Sequence, residues 1–462
     1  MKRALNIGLL ILLAVAAAQA QGMSFGLQAA RSSPKWVSRA TIYQVWMRAF
    51  TPECTLKAVE ARLPYIADLG ANVIYMSPLH PGWNPYGIDD FDAIDPRYGT
   101  EADLKAMIEA AHKLGLKVIM DMPLSHAGPE NKLFKKPGFV MAERDSWKWP
   151  LPNYSNPDVR EYFVENLVHW VRDMKADGFR CDVAATVPLD FSEQAREALN
   201  KVNPETLLLA ESDRPDDQLK AFDINYNYAY YTTLTSVMRD GEKASRIREQ
   251  WETAHATYPH GARLAHFSDN HDQTRAVLQF GLKGAVAASV LNFTLDGVPF
   301  LYNGQEIADS TATPWLETKA IDFPSREAKI DPRTRDLMIA MGMRDERRVT
   351  LATYQHLFQL RKEEAALTSG EMVWVNNTVP DSVLSFARKE GDDEILVIVN
   401  LTNRSLSGSV DLPARNYPRL KLLFSGGGAL TSELQRTVVG RVGFNLPAYG
   451  SVVAKRTPAL TK

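Results

Sequence analysis

From residue 41 onward, short apolar runs alternate with longer stretches whose apolar positions recur three and four residues apart. This is the pattern of repeated strand–helix units. The runs predict strands at residues 42–46, 73–76, 117–122, 178–183, 207–211, 222–224, 263–267 and 298–302. The helical spacing predicts helices over 56–69, 101–114, 156–174 and 354–364, the third opened by Asn156 as N-cap and Pro157 at the first helical position. Eight strands in about 325 residues, each followed by a helix or a long loop, close most simply into a (β/α)8 TIM barrel of the α/β class. Extra length falls at the strand C-termini, in a short insertion over about 127–153 after the third strand and in 303–350 after the eighth. Near residue 367 the pattern becomes short β-rich runs (383–387, 394–400, 409–412, 421–424 and 451–454) separated by turn signals, which predicts a C-terminal all-β sandwich. The barrel is thus expected over 40–366 and the sandwich over 367–462, after an N-terminal segment over 21–39.

The first twenty residues follow a different rule. Lys2 and Arg3 precede an apolar run over 9–18, and Ala18-Gln19-Ala20 has the small-x-small form of a cleavage site. The run is short of the ~20 residues that span a bilayer. A signal peptide over 1–20 is expected, with export to the periplasm or the medium. No later segment reads as apolar enough to span a membrane. Of the 462 residues, 45% are hydrophobic and 23% charged, which excludes a disordered or fibrous chain. Lys plus Arg number 53 against 55 Asp plus Glu, so no basic field is available to hold nucleic acid. Cys54 and Cys181 are the only cysteines, which excludes a disulfide scaffold and leaves one bridge between them open.

Catalytic groups of such a barrel belong at the C-terminal ends of its strands. The third strand ends in Asp121-Met-Pro-Leu-Ser125-His126, the fourth runs Gly178-Phe-Arg180-Cys-Asp182, the fifth ends at Glu211, and the seventh in Phe267-Ser-Asp-Asn-His271-Asp272. One acid at a strand end means little. Four at the same rim, two beside a histidine, point to glycoside hydrolysis, which needs two carboxyl groups flanking the scissile bond. Arg180 lies two residues before Asp182 and so on the same side of the strand, where it is expected to hold Asp182 ionised as a nucleophile. Glu211 ends an apolar strand, and desolvation is expected to raise its pKa toward that of a proton donor. His126 and His271 can hydrogen-bond sugar hydroxyls, and no His-x-x-x-His spacing favours a metal over that reading.

These four segments, in this order, resemble the conserved regions of the α-amylase family, glycoside hydrolase family 13. The stretch from Tyr86-Gly-Ile-Asp-Asp to Tyr98-Gly-Thr100 is similar to the family's loop after strand two, and Trp149-Pro-Leu-Pro-Asn153 to the end of its B domain. The resemblance runs from about residue 40 to 455. It implies Asp182 as nucleophile, Glu211 as general acid/base and Asp272 as a third carboxylate that orients hydroxyls. It further implies Tyr86, His126, Arg180 and His271 as substrate-binding residues, Tyr86 by stacking, with Asp121 and Arg275 supporting the site. An α-linked oligo- or polysaccharide is the substrate implied, with no nucleic-acid partner.

Departures from the family pattern qualify this. Ser125 stands where the family usually has a calcium-ligating Asn, and Phe50-Thr-Pro-Glu-Cys54 lacks the carboxylates of its alternative calcium loop. No cofactor is therefore expected, and calcium is disfavoured. Ala185 and Thr186 replace a Lys-His pair of many α-amylases, and Trp83 replaces an acid of many α-glucosidases. Bond preference and endo or exo action stay open. So does the choice between a hydrolase and a transglycosylase or isomerase using the same carboxylates. A non-catalytic sugar-binding relative would normally have lost a carboxylate, and all three are present.

Overall fold

The computed structural model describes residues 25–323, 346–412, 419–427, 434–438 and 440–457. The expected signal peptide and part of the 303–350 insertion lie outside these residues. Eight strands, β1 (Ile42–Val45), β2 (Val73–Met76), β3 (Lys117–Met122), β6 (Gly178–Cys181), β7 (Leu207–Ala210), β8 (Ile224–Tyr226), β9 (Leu264–His266) and β10 (Val298–Tyr302), form a closed barrel in that order. Every neighbouring pair is parallel, and β10 pairs back onto β1.

Why these runs read as continuous apolar strands is plain from their two faces. Ile42, Val73, Tyr75, Ile119, Leu207, Leu209, Tyr226 and Phe300 fill the barrel interior. Their neighbours Tyr43, Val45, Ile74, Met76, Val118, Met120, Leu208 and Leu301 pack outward under the helices. Both faces are buried, so alternation disappears. The surrounding helices are closed by ordinary local chemistry. Thr100 and Asp103 form a capping box on the helix Glu101–Lys113, and Asn156 caps Pro157–Arg172. Gly70 ends Leu56–Leu69 in the left-handed region at φ 108°, where a Cβ would also lie 2.6 Å from the Phe358 Cβ.

Several boundaries differ from expectation, each for a local reason. The strand expected over 222–224 lies at Ile224–Tyr226, because Asp223 is committed to receiving the Leu208 N–H and the Arg31 and Arg196 guanidinium groups. β6 stops at Cys181 and β7 at Ala210, so Asp182 and Glu211 open the following loops. The last helix of the barrel covers Glu346–Glu363 and so reaches ahead of the expected 354, since its turns at Glu346, Arg347 and Arg348 hide the apolar period. The insertion after β3 holds a hairpin, β4 (Val140–Arg144) with β5 (Pro150–Pro152), that no pattern announced because β4 is mostly exposed.

The C-terminal region is a five-stranded antiparallel sheet facing a three-stranded one. The first is ordered β11 (Glu371–Trp374), β12 (Val383–Glu390), β13 (Asp393–Asn400), β18 (Ser451–Thr457), β15 (Arg419–Gly426). The second is β14 (Leu406–Asp411), β17 (Arg441–Leu446), β16 (Leu434–Val438). β11, β16 and β17 were not anticipated. Leu396 and Ile398 of β13 meet Val410, Phe444 and Leu446 between the sheets, while Ile395, Val397 and Val399 join the core beneath the barrel helices. Arg388 ties the two regions covalently distant in sequence by donating to the carbonyls of Thr294, Leu367 and Gly370.

Two further expectations are settled here. The stretch Ala276–Thr294 is long and apolar enough to cross a membrane by length and composition alone, but the backbone leaves the helix at Gly281 (φ 68°, ψ 169°), so it is two helices joined at a kink and not one unbroken span. It earns that composition by packing on β10 on one side and on β13 and β15 on the other, with Ala287, Ala288, Val290 and Leu291 fully buried. Cys54 and Cys181 are free thiols.

Candidate active site

β3, β6, β7 and the segment after β9 deliver their acids to one point at the C-terminal rim. Parallel register places Asp121 beside Arg180, and the Arg180 side chain is fully buried. Its Nη1 donates to Asp121 Oδ1 and to Asp182 Oδ1, both at 2.8 Å. Its Nη2 lies 2.8 Å from Glu211 Oε2. One guanidinium therefore touches three carboxylates. Asp121 is fully buried and also accepts from the hydroxyls of Tyr75 and Tyr86, so it acts as the anchor of Arg180. Asp272 is the most open of the four, its side chain one-third exposed.

Glu211 is held from two more directions. The Val183 N–H donates to Oε2 at 2.8 Å and the Tyr228 hydroxyl to Oε1 at 2.9 Å. Val183 takes φ 40°, ψ 44°, a left-handed conformation that is costly for a β-branched residue. The strain turns its amide toward Glu211 directly after Asp182.

The histidines behave differently from one another. His271 receives the Gln44 amide at Nδ1 (2.8 Å), and its Nε2 is 2.6 Å from the Tyr86 oxygen. Burial pushes its pKa down to about 3, so the ring is neutral. With Nδ1 accepting, the proton sits on Nε2 and points at Tyr86, whose own proton goes to Asp121. Tyr86 lies parallel to His271 at 5.7 Å, and Trp46 stacks on the same ring at 4.9 Å. His126 is also neutral, lowered to about 4 by burial. Its Nε2 lies 4.0 Å from Asp182 Oδ2.

The two proton affinities expected from sequence are reversed. Burial, reinforced by Glu211, Asp121 and Asp272, raises Asp182 well above the usual range despite Arg180. Glu211 is lowered although burial opposes it, because Arg180, the Val183 amide and the Tyr228 hydroxyl all favour its charged form. The two carboxyls lie on one guanidinium and interact, so their titration belongs to the pair. Asp272 is raised to about 6 by burial and by Glu211.

All seven predicted site residues converge here, with Asp121 behind them. Arg275 sits deeper, paired with Asp269 and lying 4.4 Å over the Tyr302 ring. Sequence reasoning missed Gln44, Tyr75, Val183 and Tyr228. The alternating Asn225-Tyr-Asn-Tyr228 marked Tyr228 as a strand-end residue, but placing β8 two residues early hid it. Ser125 Oγ is engaged with His126 Nδ1 at 3.0 Å, and among the described residues no three His, Cys, Asp or Glu side chains are grouped to hold a metal.

A model of the alpha-amylase catalytic domain matches residues 47–152 and 142–311, more than half of the chain. The chain belongs to the alpha-amylase family of glycoside hydrolases. Alpha-amylase MalA of Haloarcula japonica is 28% identical over 413 residues, which cover 83% of this chain and 58% of that protein. Neopullulanase 2 of Thermoactinomyces vulgaris is 26% identical over 433 residues, 80% of this chain and 70% of that one. Among solved structures, a maltogenic alpha-amylase from Thermotoga neapolitana superposes with a TM-score of 0.79 at 25% identity, covering 91% of this chain and 99% of its own. An alpha-amylase from Geobacillus thermoleovorans, solved with acarbose, has the same fold at 21% identity and a TM-score of 0.77, covering 93% of this chain and all of its own.

Proposed function

We propose that this alpha-amylase family member is an exported, retaining α-glycoside hydrolase acting on α-glucans or malto-oligosaccharides by double displacement. The observation that carries the reading is the single Arg180 fork reaching both Asp182 and Glu211 at 2.8 Å. A guanidinium is only a few ångströms across, so it favours the short carboxyl separation of roughly 5–5.5 Å used by retaining enzymes. Asp182 attacks the anomeric carbon, and Glu211 gives its proton to the departing glycosidic oxygen. Water, deprotonated by Glu211, then releases the glycosyl–Asp182 ester. The reaction requires the proton on Glu211 and the charge on Asp182. A bound sugar favours that state when its glycosidic oxygen accepts from Glu211 and excludes water from the pair. Asp272 and the His126 Nε2 are placed for ring hydroxyls.

A panel of maltose, maltotriose, starch, pullulan, sucrose and trehalose tests the reading. Hydrolysis of one or more of the α-1,4-glucans to shorter products is expected. Products longer than the substrate would favour the transglycosylase reading, and no turnover on any of them would end both.

Tyr228→Phe removes a donor to the charged form of Glu211. The Glu211 pKa should rise, and since the proton donor must be protonated, the alkaline limb of the kcat/KM profile should move to higher pH. An unmoved limb would separate Tyr228 from the acid. The donor set around Ser125 leads to a second expectation, that EDTA leaves activity and Tm unchanged. A Tm drop restored by calcium would contradict it.

A further inference from the structure

β1 buries an amide that the chemistry of bond cleavage does not use. Gln44 shares a strand face with Ile42, which lies in the barrel interior, and its side chain is fully buried. An amide taken out of water needs a hydrogen-bond partner. Its Nε2 meets His271 Nδ1 at 2.8 Å, and Trp46 stacks on that imidazole at 4.9 Å, so the ring is held in one plane. The hydrogen on the ring can be traced from the opposite side. Asp121, a carboxylate paired with Arg180, only accepts, and the Tyr86 hydrogen goes to its Oδ2 at 2.8 Å. His271 Nε2 is 2.6 Å from the same tyrosine oxygen and must supply the hydrogen between them. A ring kept neutral by burial has only one to give. Nδ1 is therefore bare, and the amide beside it must present its N–H group and not its carbonyl.

The choice of nitrogen matters because Asp272 Oδ2 lies 3.3 Å from His271 Nε2. A hydroxyl that reaches both groups has one hydrogen, which goes to the carboxylate, so it needs a donor on its other side. With the hydrogen on Nδ1 instead, Nε2 and Asp272 would both turn lone pairs toward that hydroxyl. A hydroxyl that replaces Tyr86 at Nε2 can rotate to give or to accept, and Gln44, behind the ring, then sets which. We propose that Gln44 is a positioning residue that holds His271 as its Nε2–H tautomer, so that the histidine gives and Asp272 takes the hydrogen bonds of one substrate hydroxyl. The substrate half of this rests on the hydrolase reading above; the tautomer does not.

The tautomer is read first, in the free protein carrying isotope-labelled histidine. Long-range proton–nitrogen correlation NMR should show His271 with a bare Nδ1 and a protonated Nε2, the signals being those lost in His271→Asn. A protonated Nδ1 would overturn the proposal. Gln44→Glu keeps the shape of the side chain but sets a carboxylate against Nδ1, which draws a hydrogen there. The charges already facing the ring are Arg180 from β6, Asp121 from β3, Glu211 after β7 and Asp272 after β9. Added to them, the new carboxylate favours the imidazolium. The variant should therefore work at low pH, where both nitrogens carry hydrogens, and lose kcat/KM as rising pH strips the hydrogen from Nε2. The parent should show no such limb. Gln44→Leu fills nearly the same space without a donor, and its kcat/KM for maltoheptaose should fall about tenfold at every pH, the order of one lost hydrogen bond. Parental kcat/KM in Gln44→Leu, or the parent's pH profile in a folded Gln44→Glu protein, would remove the role from Gln44. Should Gln44→Glu not fold, the parent spectrum and Gln44→Leu decide the matter. A parent that cleaves no α-glucan ends the hydrolase reading and the substrate half of the proposal, while the spectrum still decides the tautomer.

Discussion

Asp182→Asn is expected to lower kcat on soluble starch by at least about four orders of magnitude, the scale seen when a covalent nucleophile is lost. The amide keeps the shape of the side chain and its oxygen can still accept from Arg180 Nη1, so the barrel rim should be undisturbed. What it lacks is the charge needed to attack an oxocarbenium-like centre and to form the ester. Burial already resists the charged form of Asp182, and Glu211, Asp121 and Asp272 add to that resistance. Replacing it by a neutral amide should therefore leave the melting temperature equal or higher, a trade of stability against activity common at catalytic groups. Activity within tenfold of the parent would remove Asp182 from the nucleophile role.

Arg180→Met carries the second large effect, and it acts on both folding and rate. The guanidinium is fully buried with Asp121, Asp182 and Glu211 each 2.8 Å away. Removing it leaves like charges facing one another without a cation, which for a broken buried pair costs roughly 3–5 kcal/mol. The buried acids respond by holding protons in the folded state above their unfolded values of about 3.9–4.3. Groups shifted upward stabilise below the unfolded pKa and lose that contribution as pH rises through the folded one. The deficit of the variant should therefore widen from pH 5 to pH 8, and turnover should be lost along with the positioning of both working carboxylates. Thermal unfolding at the two pH values reads this directly. An equal loss at both would mean that Arg180 contributes by packing and not by charge.

How much of this could be read from the chain alone follows from which interactions are local. The barrel strands were legible because both faces of Val73–Met76 or Leu207–Ala210 are buried, leaving uninterrupted apolar runs. The acids were legible because each follows such a run. The sandwich strand Glu371–Trp374 and the exposed hairpin strand Val140–Arg144 carry no such signal. The direction of the Glu211 pKa shift was read wrongly for a different reason. It depends on the Val183 amide, turned by a strained backbone, and on the Tyr228 hydroxyl, which arrives from the next strand along the barrel. Nothing in the apolar sequence around Glu211 shows either donor. Arg180 was correctly placed beside Asp182, but its second nitrogen serves Glu211, and only the closed barrel brings the two strand ends to one fork.

The central claim is double displacement through Asp182 and Glu211, and the anomer first released tests it most directly. Proton NMR of a malto-oligosaccharide digest, recorded before mutarotation mixes the anomers, resolves the new reducing end. Two inversions at the same carbon predict that the α-anomer appears first and the β-anomer grows in only at the rate of spontaneous equilibration. A β-anomer released first would mean a single inverting attack by water, and would contradict the account.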